Sequence, residues 1–469
     1  GRLLVLSKAK GNTMKPTSTM KRRQFIGTAA AGSLLPLCRG AALPAQERGR
    51  PEPPSTTCGG RLAGKSLEEL REELRHWLFD DYIPFHDKYV VDHEYGGFTL
   101  HVGWNGPTAS YEKSARYFGR GIWTYSFLYN KVDPDPKHYE AAKKAIDFIM
   151  KFKPDHDRLW PNGYSREGKI TEGPPERIYE DLFIANGLAE FSKSKGNEKY
   201  WDLAKEIMLK CVRLYDRPGY LESGFADYFG KDAPPVPGGT RLVGHWFCLL
   251  NQSTSMLEAR ADREVEALAD RCLEAILDKH YNKDFDLINE VLDHDFGRGD
   301  ERLAEFVYTG HAIETLWMVL YEAVRRRDKA LFDRAAASFK RHCEVAWDDV
   351  YGGLFRSLNH VDKNTWFVDK VGWLQQEGLI GSMCLIEHTG DPWAKDFFAR
   401  LHAWVMNKFP LKKYGYPLWI DGSDRKVTFN KGDGTRRAEN FHYPRYLMLN
   451  LLALDRMIKR GGKISGVFS

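Results

Sequence analysis

The 469-residue chain has seven cysteines but no spacing that would use them. None of Cys38, Cys58, Cys211, Cys248, Cys272, Cys343 and Cys384 forms a C-x-x-C pair, and most sit in apolar helical patterns. They read as buried free thiols, which argues against a zinc site or a disulfide framework. No apolar run approaches the roughly 20 residues that cross a bilayer. There is no Walker loop and no H-E-x-x-H spacing, so P-loop chemistry and a zincin-type metal site are unsupported. Strand signals are few. Acidic residues are absent from residues 1–45, which hold eight basic ones, so the formal net charge of +5 misleads; the rest of the chain is mildly acidic. Nucleic-acid binding therefore has no electrostatic support.

The basic start reads as an export signal. Lys21-Arg22-Arg23-Gln24-Phe25-Ile26 precedes a small and apolar run, Gly27–Leu37, and then Ala41-Ala42-Leu43-Pro44-Ala45. That order matches a twin-arginine signal and implies a periplasmic or extracellular location. Residues 1–45 are assigned to this signal and an upstream extension, with Met20 as a start. Residues 46–65, rich in Pro, Gly, Arg and Thr, are assigned to a linker. Residues 66–460 are assigned to one domain and 461–469 to a tail.

What the chain has in quantity is helical periodicity and aromatic side chains, the latter 13% of all residues. Apolar patterns of period 3.6 predict helices near 66–80, 113–131, 137–152, 177–194, 198–213, 244–260, 263–279, 301–325, 329–346, 369–388, 391–409 and 440–458. Aromatic-rich members alternate with charged amphipathic ones. A ring of helices buried all round, wrapped by an amphipathic ring, has that alternation. The expected fold is all-α, an (α/α)6 barrel with short β-hairpin loops at the active-site end. Asp92-His93-Glu94-Tyr95-Gly96-Gly97-Phe98 is echoed by Asp348-Asp349-Val350-Tyr351-Gly352-Gly353-Leu354, and more loosely by Tyr414–Gly422. Paired glycines beside aromatics suit tight turns between helices, and the echo favours one repetitive domain. Asp348 and Asp349 read as turn acceptors. His93 and His101 are placed on the rim. His245 is read as either core or site.

Two segments carry the chemistry. Tyr308-Thr309-Gly310-His311-Ala312-Ile313-Glu314 places an imidazole and a carboxylate on one helical face, where the carboxylate would fix the tautomer of the ring. Asn440-Phe441-His442-Tyr443-Pro444-Arg445 puts a histidine at a helix entrance, with Pro444 in the first turn and Arg445 close by. Two histidines on separate helices are what inversion at a carbon requires, one to remove a proton and one to return it.

Further blocks lie between and around these segments: Lys113 with Gly119-Arg120-Gly121-Ile122-Trp123-Thr124-Tyr125, then Ile178–Phe183, then Lys370-Val371-Gly372-Trp373-Leu374-Gln375-Gln376-Glu377. In this order, from about Leu67 to Met457, the chain resembles the N-acylglucosamine 2-epimerase superfamily, which includes cellobiose 2-epimerases and aldose–ketose isomerases. The resemblance implies the (α/α)6 barrel, His311 and His442 as general acid/base residues, and Arg120 as the cation on the charged sugar oxygen. It implies Glu314, Glu377, Arg445 and Trp373 as substrate-binding residues. No metal or other cofactor is implied. The partner is a small-molecule sugar, and a homodimer is left open. Where relatives often carry two adjacent tryptophans, this chain has Gly372-Trp373. Serines in Leu250–Ala259 stand where the cellobiose-epimerase and isomerase branches carry histidines, which points to an N-acylhexosamine. The alternatives are the two other branches, a glycoside hydrolase of the same architecture and a non-catalytic sugar-binding module.

Overall fold

Segments that are buried on nearly every side form an inner ring of helices, and segments with one apolar stripe lie around it. The computed structural model describes residues 57–102, 107–222, 238–299, 301–409 and 439–469. The unit Gly1–Glu52, which holds the expected export signal, lies outside the described residues; the unit Pro53–Ser469 carries the fold. Helix α1 (Leu67–His76) runs through a π-helical stretch, Trp77–Tyr82, into α2 (Ile83–Tyr89). There follow α3 (Ala115–Phe127), α4 (Pro136–Ile149), α5 (Tyr179–Phe191), α6 (Lys199–Tyr215), α7 (Val243–Ala259), α8 (Arg263–Glu274), α9 (Thr309–Arg326), α10 (Lys329–Ala346), α11 (Gly372–Thr389), α12 (Pro392–Lys408) and α13 (His442–Lys459).

The odd-numbered helices from α3 to α13 pack in succession as the inner ring, and each also packs on an outer neighbour. In α5 every residue but Tyr179 is buried, whereas α8 buries only Val265, Leu268, Ala269 and Cys272. The closest inner approach, α3 on α5, depends on glycine. A Cβ on Gly119 would collide with the backbone at Phe183, and one on Gly187 would lie 2.6 Å from the Gly119 carbonyl oxygen. Between the last and first inner helices, Thr124 Oγ1 donates to Asn440 O at 2.7 Å and Asn440 Nδ2 to Tyr117 O at 3.0 Å. The result is the (α/α)6 barrel expected from the alternation.

The two rings begin differently. Outer helices α1, α4, α8, α10 and α12 each open on a side-chain cap, from Ser66, Asp135, Asp262, Asp328 and Asp391, which satisfies amides that would otherwise lack partners. None of the six inner helices has a cap from its own N-cap side chain. Their N-termini, the positive ends of the helix dipoles, share one end of the barrel with the hairpin loops.

The internal echo is structural. Asp92 accepts from the amides of Glu94 and Tyr95, and its backbone exchanges hydrogen bonds with Gly96 and Gly97. Asp348 does the same with Val350, Tyr351, Gly352 and Gly353. A buried lysine completes each turn: Lys113 binds Asp92 and Gly96 O, and Lys370 binds Asp348 and Gly352 O. The third echo, Tyr414–Gly422, lies outside the described residues. One boundary differs from expectation. The helix expected near 301–325 starts at Thr309, because Val307 pairs with Leu358 through two backbone bonds of 2.9 Å, which hold the approach to the helix extended.

Candidate active site

The uncapped end of the inner ring gathers the residues singled out in the sequence. Arg120 lies in the second turn of α3, His311 and Glu314 in the first turns of α9, Trp373 and Glu377 at the start of α11, and His442 and Arg445 at the start of α13. Glu439 holds the entrance of α13 from outside the helix, accepting from the amides of Phe441, His442 and Tyr443 at 2.9, 2.9 and 3.1 Å. Pro444 follows in the first turn, where its missing N–H costs nothing.

Each histidine presents Nδ1 to a buried carboxylate. His442 Nδ1 lies 2.8 Å from Glu377 Oε1. His311 Nδ1 lies 2.9 Å from Oε1 of Glu290, a residue of the segment before α9. This corrects the pairing expected within one helical face. Glu314, one turn beyond His311, bonds Arg445 instead. At His311 the carboxylate on Nδ1 favours the tautomer with its proton there and the lone pair on Nε2, whereas His442 Nδ1 also faces the Arg445 Nη2 donor at 3.2 Å.

The surroundings of the two rings differ. Arg445 Nη2 donates to Glu314 Oε1 and, at 2.7 Å, to Glu377 Oε1, while Trp317 Nε1 donates to Glu377 Oε2 at 2.6 Å. Burial pushes the His442 imidazole down to about 3, with Arg120 and Arg445 acting in the same direction and Glu314 and Glu439 against it. His442 is therefore a neutral ring at neutral pH. Burial raises Glu377 against the pull of Arg445 and Trp317, and raises Glu290 against the pull of His311.

Arginines and aromatic rings complete the site. Phe441 lies between two guanidinium groups, Arg445 at 4.3 Å and Arg120 at 5.2 Å from its centroid. Arg120 also sits 4.4 Å from the Phe183 centroid, and its buried Nε meets no hydrogen-bond partner. Trp373 touches both histidines, its ring 5.9 Å from His311 and 5.2 Å from His442. Gly310 makes room for that ring. Beneath, Phe183, Phe247, Met318, Asn186, Asn251 and Cys248 line a small cavity with Glu314 and Arg445.

Two groups of side chains have metal-ligand spacing among the described residues: Asp133 with Asp135 and His138, and Glu314 with Glu377 and His442. In the second, Arg445 already places a cation on the two carboxylate oxygens that a metal would use. In the first, His138 Nε2 sits on Asp133 and Asp135 caps α4.

Arg120, His311, Glu314, Trp373, Glu377, His442 and Arg445 thus share one end of the barrel. His245 is buried against Glu222 at 3.1 Å and stacks on Tyr215. The serines of α7 also turn away: Ser253 meets Met208 and Ser255 accepts from Lys193 at 2.8 Å. Sequence reasoning missed Glu290, Trp317 and Phe441. Phe441 stood inside the Asn440–Arg445 segment without a role, and Glu290 left a trace as a charge beside Asn289 within the otherwise apolar run Leu287–Leu292.

Two imidazole–carboxylate couples at the uncapped end of an (α/α)6 barrel, flanked by arginine, have the parts needed to move protons at carbon beside a carbonyl. A profile of the N-acylglucosamine 2-epimerase (GlcNAc 2-epimerase) family matches residues 96–436. The chain is 25% identical over 419 residues to the N-acylglucosamine 2-epimerase of Rattus norvegicus, covering 84% of this chain and 96% of that protein. It is 24% identical over 353 residues to the cellobiose 2-epimerase of Bacteroides fragilis, covering 69% and 84%. The solved structure of a sugar epimerase from a ruminal bacterium has a TM-score of 0.68 at 19% identity, covering 84% and 100%. The chain belongs to the N-acylglucosamine 2-epimerase family, whose enzymes are sugar epimerases and isomerases.

Proposed function

We propose that the protein inverts C2 of an N-acylated hexosamine, interconverting N-acylglucosamine- and N-acylmannosamine-type sugars. The observation that carries this reading is the pair of imidazoles on separate inner helices, each with a carboxylate on Nδ1. In the open-chain form of the sugar, where C1 is an aldehyde, one histidine takes the C2 proton on Nε2. The C–H electron pair becomes the C1–C2 double bond, and the aldehyde oxygen takes the negative charge. Arg120, with its unpartnered Nε, stabilises that oxygen. The other histidine, which enters the step as an imidazolium with a proton on each nitrogen, gives its Nε2 proton to the opposite face of C2, and exchange with solvent resets the two rings. Glu377, Glu314 and Arg445 hold His442 in place, and Trp373 supports the sugar ring. None of these steps calls on a redox group.

The same enediolate gives a ketose if the proton returns to C1, and the similarity to a cellobiose 2-epimerase favours a disaccharide as the second reading. The test is incubation in deuterated water with N-acetylglucosamine, N-acetylmannosamine, mannose and cellobiose. Deuterium at C2 with an inverted centre supports epimerisation, and the sugar that reacts identifies the branch. Ketose formation supports isomerisation. No exchange with any of the four overturns the proposal. Export through residues 1–45 is proposed alongside it, and cell fractionation of the full chain tests that.

A further inference from the structure

Glu290 belongs to no helix, yet its backbone is fixed from both sides. Its amide donates to Phe306 O at 2.9 Å, and its carbonyl accepts from Val243 N at 3.0 Å, beside the antiparallel pair Val291–Leu292 with Arg241–Leu242. The side chain is fully buried. Oε1 meets His311 Nδ1, and Oε2 is buried with no hydrogen-bond partner. His311 is the one cation-forming group within ion-pair distance of Glu290 among the described residues. Glu377 contrasts with it: that carboxylate faces His442 but is also held by Arg445 and Trp317. A carboxylate is costly to bury without a cation or a full set of donors. Its retention against an imidazole on a rigid mount therefore calls for a role at that ring.

We infer that Glu290 is the positioning residue of His311, holding its proton on Nδ1 so that Nε2 is the nitrogen that exchanges a proton with the sugar carbon. The inference rests on the two-histidine reading above. It assigns the two carboxylates different duties. Glu377 acts in a clamp whose charge Arg445 offsets, and Glu290, held besides by the Gly244 amide, serves one ring. The consequence is one-sided, because losing Glu290 impairs the face of the sugar that His311 serves and leaves the His442 clamp intact. Glu314, although on the helix of His311, works with His442 through Arg445.

Glu290→Gln tests this. The amide keeps the shape and burial of the side chain, so a purely structural role would tolerate it. It also offers Nδ1 an N–H donor, which permits the wrong tautomer. With 15N-labelled histidine, and the His311 signal assigned by its loss in His311→Asn, wild-type protein should show Nδ1 protonated and Nε2 carrying the lone pair. The variant should shift toward the Nε2–H form. Deuterium wash-out at C2 should fall at least about tenfold for one epimer, as expected for a buried carboxylate that orients an imidazole, and much less for the other, with KM little changed. Wild-type protein with the Nε2–H tautomer at His311 overturns the inference without any substitution, whether or not Glu290→Gln folds. So does a folded Glu290→Gln whose wash-out rates stay within twofold of wild type. If wild type exchanges the proton of no sugar, the epimerase proposal fails, and the tautomer measurement still decides the role of Glu290.

Discussion

Gly310 and Trp373 occupy one another's space: a Cβ on Gly310 would lie 2.5 Å from Cη2 of the tryptophan ring. The ring rests there between both histidines, and the first turn of α9 is shaped to receive it. Gly310→Ala should therefore displace Trp373. We expect a loss of about 1–3 kcal/mol, the usual cost of overpacking a filled core, together with a raised KM. Urea unfolding and steady-state kinetics of the same variant check both. Unchanged KM in a folded Gly310→Ala would remove Trp373 from the substrate wall.

His311→Asn and His442→Asn should each lower net epimerisation by about two to four powers of ten. One of them should still exchange the C2 proton of a single epimer with solvent. Arg120→Lys should also be costly despite its charge, since a planar fork is not replaced by a point charge. Near-full activity in both folded histidine variants would show the two-base assignment to be wrong.

Arg445→Met should strand Glu314 and Glu377 as buried carboxylates. Breaking a buried pair by removing one partner costs about 3–5 kcal/mol, so a large fall in thermal midpoint is expected. Arg445→Met combined with Glu314→Gln should recover part of it. No recovery would mean that packing against Phe441 and Trp317, not charge, is the main role of Arg445.

The duplicated hairpins differ in one partner. Lys113→Met leaves Asp92 paired with Arg166 at 3.0 Å, whereas Lys370→Met takes from Asp348 the one cation that pairs with it among the described residues, so the second variant should be the more destabilised, by about 1 kcal/mol or more. Denaturant midpoints of the two variants settle this.

Burial holds His280 and His342 down to about 4, and His388 as well, although Glu387 works against burial there. These rings stay neutral in the folded chain while the unfolded chain protonates them near pH 6.5. The unfolded state thus binds more protons between about pH 6.5 and pH 4. Each ring contributes stability that is fully present above pH 6.5 and is lost as pH falls toward 4, on the order of 1–2 kcal/mol per ring by pH 5. NMR titration should show all three still neutral at pH 5.5. Titration of any of them near pH 6.5 would refute the assignment for that ring.

Much of the barrel was legible because helix period and burial are local. Tyr179–Phe191 was read as a helix and is buried at every position but Tyr179, its acidic residues included; Arg263–Glu274 reads as one apolar stripe and lies outside. The start of α9 was misplaced because the Val307–Leu358 pairing crosses some fifty residues of chain, which no local pattern contains. The histidines were visible through their neighbours, Gly310 and Pro444, but their electrostatic partners were not.

The sequence alone determined which residues could carry protons and that they would ride on buried helices, because those properties depend on side-chain chemistry and on spacing within one turn. Tertiary structure decided which carboxylate meets which ring. Glu290 reaches His311 across 21 residues, Glu377 reaches His442 across 65, and Arg445 reaches Glu314 across 131. The physical reason is directional: a helix face fixes where a side chain points, but the partner it finds there is set by how the inner ring closes.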